Sequence, residues 1–89
     1  MGCFDSFYTE DGREVQLKAG SCCLDRYDIG EGCTDYAAGV YHALDNDVVV
    51  ITGGTVVDVG DAAEVLVRCG TQGLTHFDKW GSPYTEDEE

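Results

Sequence analysis

The chain has 89 residues with eighteen acids against five bases, a formal charge of −13, and is 43% hydrophobic. A chain of that length holds one modest core, and its apolar share is too high for a disordered segment. A field of this sign repels DNA, RNA and anionic membranes and attracts basic surfaces, and no apolar run approaches the ~20 residues of a membrane-spanning helix.

Residues 4–9 predict an opening strand, with Phe4 and Tyr8 on one face and Phe7 on the other. Glu10-Asp11-Gly12 is a turn. Residues 13–18 alternate, Val15 and Leu17 against Glu14, Gln16 and Lys18, which predicts a half-buried strand in a hairpin with the first. Residues 23–27 read either as a short strand or as a helical stripe. Residues 34–39 read either as one helical turn capped by Thr34 or as an irregular connection. A strand is predicted at 40–44, with Val40, His42 and Leu44 opposite Tyr41 and Ala43, and Asp45-Asn46-Asp47 turns the chain.

Residues 48–59 read V-V-V-I-T-G-G-T-V-V-D-V and predict the central hairpin, turning at Gly53-Gly54. Residues 48–51 are apolar throughout, so both faces of that strand should be covered. Residues 63–69 alternate and predict a further strand, and residues 74–80 a last one that closes or caps the sheet. The fold class expected is all-β with at most one short helical turn: a small antiparallel barrel or sandwich, SH3-like or similar. It should occupy residues 1–84, with an acidic mobile tail at 85–89.

The opening M-G-C-F-D-S-F-Y, followed by E-V-Q-L-K-A-G-S-C-C-L-D-R-Y-D-I-G, resembles small phage and prophage proteins that begin M-G-x-F-D and continue E-x-Q-x-K-x-G-x-C. The resemblance covers the first third of the chain and implies a phage-like origin. Such proteins often carry a C-x-x-C knuckle between the two opening strands, whereas Thr9-Glu10-Asp11-Gly12 here has no cysteine.

The five cysteines, Cys3, Cys22, Cys23, Cys33 and Cys69, form no C-x₂₋₄-C pair, so no metal ligands are assigned and no cofactor is expected. The opening residues lack the basic and apolar regions of a secretory signal, which points to a reducing compartment, the cytoplasm of a bacterial host. Met1-Gly2 with Ser6 fits the minimal myristoylation pattern, but no polybasic patch would assist lipid docking. A cysteine nucleophile meeting His42 or His76 would sit in an acidic field that raises thiol pKa, and the glycine pairs lack the lysine of a phosphate loop. No catalytic residue is therefore assigned, and the chain reads as a non-enzyme.

The expected function is binding. The residues proposed to meet a partner are acids beside aromatics: Asp25, Asp28 and Glu31 near Tyr27, Asp35 near Tyr36, and Asp45 and Asp47 near Tyr41. The partner expected is a basic host protein whose nucleic-acid-binding surface is blocked, in the manner of DNA mimics and some anti-CRISPR inhibitors, with no direct contact to nucleic acid or membrane. The alternatives are a self-associating accessory phage module, hence a homo-oligomer, and a degenerate zinc-ribbon-like domain.

Overall fold

The structure, a computed structural model, describes residues 4–18 and 25–83. The central hairpin forms as its sequence predicts. β5 (Asp47–Thr52) and β6 (Thr55–Asp61) pair antiparallel, and Gly53 and Gly54 adopt the positive φ of the turn (58° and 74°). Alternation splits the hairpin between two cores. Val49, Ile51, Val56 and Val59 face one way, Val48 and Val50 the other. A bulge interrupts the pairing, because Val50 lies opposite Asp58 while Ile51 lies opposite Val56. The extra residue, Val57, turns outward, and Asp58 is aimed at the opposite face from Val56 and Val59.

Two sheets face each other across the larger core. The first has the order β2-β1-β3, made of β1 (Asp5–Tyr8), β2 (Glu14–Leu17) and β3 (Arg26–Asp28). The second has the order β6-β5-β4-β7, adding β4 (Gly39–His42) and β7 (His76–Phe77). Phe7, Val15 and Leu17 of the first sheet meet Tyr41, Val49 and Ile51 of the second. A continuous set of rings spans the gap. Tyr27 stacks on Phe7 at 5.0 Å, Phe7 meets Tyr36 edge-on at 5.5 Å, Tyr36 meets Tyr41 edge-on at 5.2 Å, and Tyr41 stacks on Phe77 at 4.9 Å.

Strands dominate this small domain, in agreement with the sequence, but pairing is mixed rather than uniformly antiparallel. β1·β3 and β4·β7 are parallel. Parallel neighbours need a long crossover, which the β2 hairpin supplies in one case and the β5-β6-α1 segment in the other. Periodicity carries no information on direction. Residues 34–39 take the irregular alternative, with no helical turn.

The prediction of a strand at 63–69 is corrected. These residues form α1 (Ala62–Cys69). Val65 is buried with Val40, Val48 and Val50, and Ala62, Leu66 and Cys69 pack around it, a spacing of three and four residues that belongs to a helix. Val67, which a strand would place beside Val65, is 85% exposed. The helix is capped at both ends. The Asp61 carboxylate accepts from the Ala63 N–H at 3.1 Å, and Gly70 follows in the left-handed conformation and donates its N–H to Leu66. α1 covers the second sheet on its far side, which is why residues 48–51 are apolar at every position.

Gly39 shows how tightly β7 is laid down. A Cβ there would stand 2.6 Å from Phe77 Cε2 and 2.7 Å from the Thr75 carbonyl oxygen. The carbonyl is backbone and cannot swing aside. Gly39→Ala should therefore push β7 off β4 and cost about 1–3 kcal/mol, read as a lower urea midpoint with an unchanged slope.

Candidate partner-binding surface

Among the described residues three acids are buried, and their partners decide the charge of what remains outside. Asp5 accepts the Tyr36 hydroxyl at 2.8 Å and the Asp25 N–H at 3.1 Å. Asp47, 6% exposed, holds the Arg13 guanidinium through two bonds of 2.8 and 3.0 Å. Asp58 holds Arg68 in the same way at 2.7 and 2.9 Å. Arg68 and further donors from Cys69 and the Val59 N–H keep the Asp58 carboxyl below the usual carboxylate range, against burial, which acts the other way. Both arginines are thus committed to buried carboxylates. The bases left to balance the exposed acids are Arg26, Lys18 and Lys79.

Four of the expected residues come together at β3, an edge strand, and the loop that follows it. Asp25, Asp28, Glu31 and Asp35 are exposed around half-buried Tyr27. The Tyr27 hydroxyl lies 3.3 Å from Asp25 Oδ2, and the Asp28 N–H donates to Glu31 Oε1 at 2.8 Å. Burial raises the Tyr27 pKa well above its ordinary value, and Cys33, Asp25, Asp35 and Asp5 add to the rise, which places these carboxylates in one electrostatic neighbourhood. The loop is fastened to β6 and the turn before it: Gly30 N–H donates to Val56 O at 2.7 Å, Val56 N–H to Glu31 O at 2.9 Å, and Cys33 N–H to Gly54 O at 2.6 Å. The carboxylates are therefore presented on a rigid support.

Three expected contact residues are corrected. Tyr36 and Tyr41 are buried in the ring set between the sheets, where the Tyr41 hydroxyl donates to Ala37 O at 2.9 Å, and neither is available as an exposed anchor. Asp47 is a buried partner of Arg13, so reversing its charge would attack the fold. Asp45 is exposed but lies apart from the β3 edge, in the tight turn Leu44–Asn46, where it and Asn46 both adopt φ 61°. Asp and Asn tolerate that conformation better than other non-glycine residues.

Among the described residues the thiols and imidazoles are occupied elsewhere. Burial pushes the Cys33 thiol up to about 11 from an ordinary 9.0, with Asp35 and Asp5 adding to the rise against a bond to Tyr27. Burial likewise raises Cys69, helped by Asp58. His42 Nε2 and His76 Nδ1 lie 2.8 Å apart on the α1 side of the second sheet, whereas Cys33 belongs to the core on the other side. Among the described residues no three His, Cys, Asp or Glu side chains gather as a metal site, and Cys3, Cys22 and Cys23 lie outside those residues. Near pH 8, Cys33 should hold roughly 100-fold less thiolate than an unperturbed thiol. Alkylation followed by mass spectrometry should find Cys33 inert in the folded protein and reactive in urea. Folding stability linked to this thiol is complete below about pH 9 and lost as pH rises through about 11.

Two features escaped the sequence reading. One is a cleft of about 460 Å³ where the β1–β2 turn meets the start of α1, bearing Glu10, Asp11, Asp61 and Glu64 beside the two committed arginines. In the sequence Glu10 and Asp11 read as turn residues, Asp61 as the end of the hairpin and Glu64 as one face of a strand, and only the packing unites them. The other is Trp80, 56% exposed, with Lys18 Nζ and Lys79 Nζ each 4.9 Å from its ring centroid. The Asp78 carboxylate accepts the N–H of Trp80 and of Ser82, both at 2.9 Å, and Lys18 N–H donates to Lys79 O at 3.1 Å, so the ring stands on a fixed turn. No family model, curated protein or solved structure matches the chain.

Proposed function

We propose that this protein is a binding module, not an enzyme, and that the acidic β3 edge engages a basic surface on another protein and covers it. The single observation that carries the reading is the commitment of Arg13 and Arg68 to Asp47 and Asp58, while Asp25, Asp28, Glu31 and Asp35 stand exposed at β3 and the loop after it, with Arg26 the base on that strand. Basic surfaces of this kind are the grooves of nucleic-acid-binding proteins, so the reading is that of a DNA-mimic inhibitor, and the resemblance of the opening residues supports a phage origin for it. Electrostatic complementarity of this sort acts mainly on association rate and is screened by salt.

Asp25→Lys with Asp28→Lys should leave stability within about 0.5 kcal/mol, since both positions are exposed. Immobilised wild-type protein should retain nucleic-acid-binding proteins from a bacterial lysate at 50 mM salt and release them to added duplex DNA or at about 500 mM salt, while the double variant retains several-fold less. Retention indifferent to salt, to DNA and to the substitutions would refute the reading.

A further inference from the structure

The acidic β3 edge leaves three features unused: the His42–His76 pair, the acid-lined cleft beside α1, and the Trp80 cluster. The first two offer no second sign of a ligand. The third has a counterpart in the same molecule.

Trp80 is the one tryptophan of the chain. More than half of its surface is open to solvent. An exposed, rigidly held Trp flanked by cations is the composition of an anchor that inserts into a partner's socket, and the lysines require that socket to be rimmed by acid. Such a socket lies further along the same strand. Glu14, Val15 and Gln16 of β2 join Leu44, Asp45 and Asp47 around a cleft of about 240 Å³. Leu44 is 55% exposed there, which gives the socket an apolar wall. The charge of Asp47 is already met by Arg13, so the acids that face a partner's lysines are Asp45 and Glu14, whose Oε2 also accepts the Ser6 hydroxyl at 2.5 Å.

The arrangement along β2 makes the match reciprocal. Glu14 and Lys18 stand on the same outer face, about 14 Å apart at strand rise, with Gln16 midway. A two-fold rotation about an axis near Gln16 carries the Lys18 end of one copy onto the Glu14 end of another. The Trp80 cluster of each then meets the Leu44–Asp45 cleft of the other, as an isologous interface demands. The contact is made by side chains, not by a continuous sheet, because the Lys18 N–H is already bonded to Lys79 O. Repulsion between two copies of charge −13 is screened beyond about 8 Å at physiological ionic strength, and the two lysines facing Glu14 and Asp45 relieve it at the contact itself.

We propose that the Trp80–Lys18–Lys79 cluster and the Leu44–Asp45–Glu14 cleft are the two halves of a symmetric homodimer interface. Sedimentation equilibrium at 0.15 M salt should show a concentration-dependent dimer. Trp80→Ala should weaken it at least 10-fold with an unchanged circular dichroism spectrum. The paired test is stricter. Lys18→Glu/Lys79→Glu and Glu14→Lys/Asp45→Asn should each be monomeric alone and form a dimer when mixed, since only the mixture restores opposite charges at both contacts. Asp25→Lys/Asp28→Lys should dimerise as wild type does, which separates this interface from the β3 edge. A wild-type chain that stays monomeric to about 1 mM would overturn the proposal, as would a dimer indifferent to Trp80→Ala or a variant mixture that remains monomeric.

Discussion

Val50→Asp should abolish cooperative folding, and Val67→Asp, on the helix that covers it, should leave stability nearly unchanged. Val50 is 1% exposed and sits beneath α1 among Val40, Val48 and Val65. An aspartate there would be buried with no cation provided for it, a cost of several kcal/mol. A domain of 89 residues is expected to have roughly 5–13 kcal/mol in all, so most of its stability would be lost. Val50→Ala removes only apolar volume and should cost about 1–3 kcal/mol while leaving a folded protein. Val67→Asp is the informative control. If residues 63–69 were a strand, Val65 and Val67 would share a buried face and both would be intolerant of charge. In the helix only Val65 is. Urea titrations followed by circular dichroism distinguish the two outcomes directly.

Arg68→Met should destabilise the domain, read as a lower urea midpoint. The substitution keeps most of the side-chain volume but removes the guanidinium from Asp58, which is 7% exposed. Asp58 would retain the Val59 N–H and the Cys69 thiol as donors, with no compensating charge. The loss is smaller than for a fully buried pair because the Arg68 side chain is half exposed and solvent screens it. The sign with pH follows from the depressed carboxyl of Asp58. A group whose folded pKa lies below its unfolded value contributes stability above the unfolded value, here about 4, and loses it as pH falls further. Wild-type protein should therefore weaken below pH 4, and the difference between wild type and Arg68→Met should shrink between pH 5 and pH 2. A difference independent of pH would assign the loss to packing instead.

What the sequence revealed depended on whether the information was local. The central hairpin, the β2 alternation of Val15 and Leu17, and the opposite facing of Phe7 and Tyr8 follow from period-two patterning and turn glycines. The helix was hidden because its seven-residue core, A-E-V-L-V-R-C, satisfies both periods. The deciding signals were the cap residues Asp61 and Gly70, which also read as turn punctuation. The bulge at Val57 was invisible, so Asp58 looked like the solvent-facing member of an alternating strand when it is a buried anchor for α1. The same limit applied to the surface. The clustering of Asp25, Asp28 and Glu31 was legible because they are neighbours in sequence. The burial of Tyr36, Tyr41 and Asp47 was not, because it depends on residues 34–39 crossing between the sheets and on Arg13 reaching across 34 positions. Lys18 and Trp80 meet for a similar reason, through strand β2 and a turn far along the chain.

The ring set between the sheets divides the protein's spectroscopic signals into two independent channels. Tyr27, Phe7, Tyr36, Tyr41 and Phe77 are held in fixed, asymmetric contacts from one sheet to the other. Their near-ultraviolet circular dichroism reports on whether the sheets are docked. Trp80 stands outside this set, on a surface turn. Its emission in the folded monomer will be close to that of indole in water and will change little when that monomer unfolds. Tryptophan fluorescence is thus blind to the collapse of this core, whereas tyrosine ellipticity near 275 nm follows it; the same separation leaves the indole free to register contacts made at the surface while the tyrosines certify that the sheets remain joined.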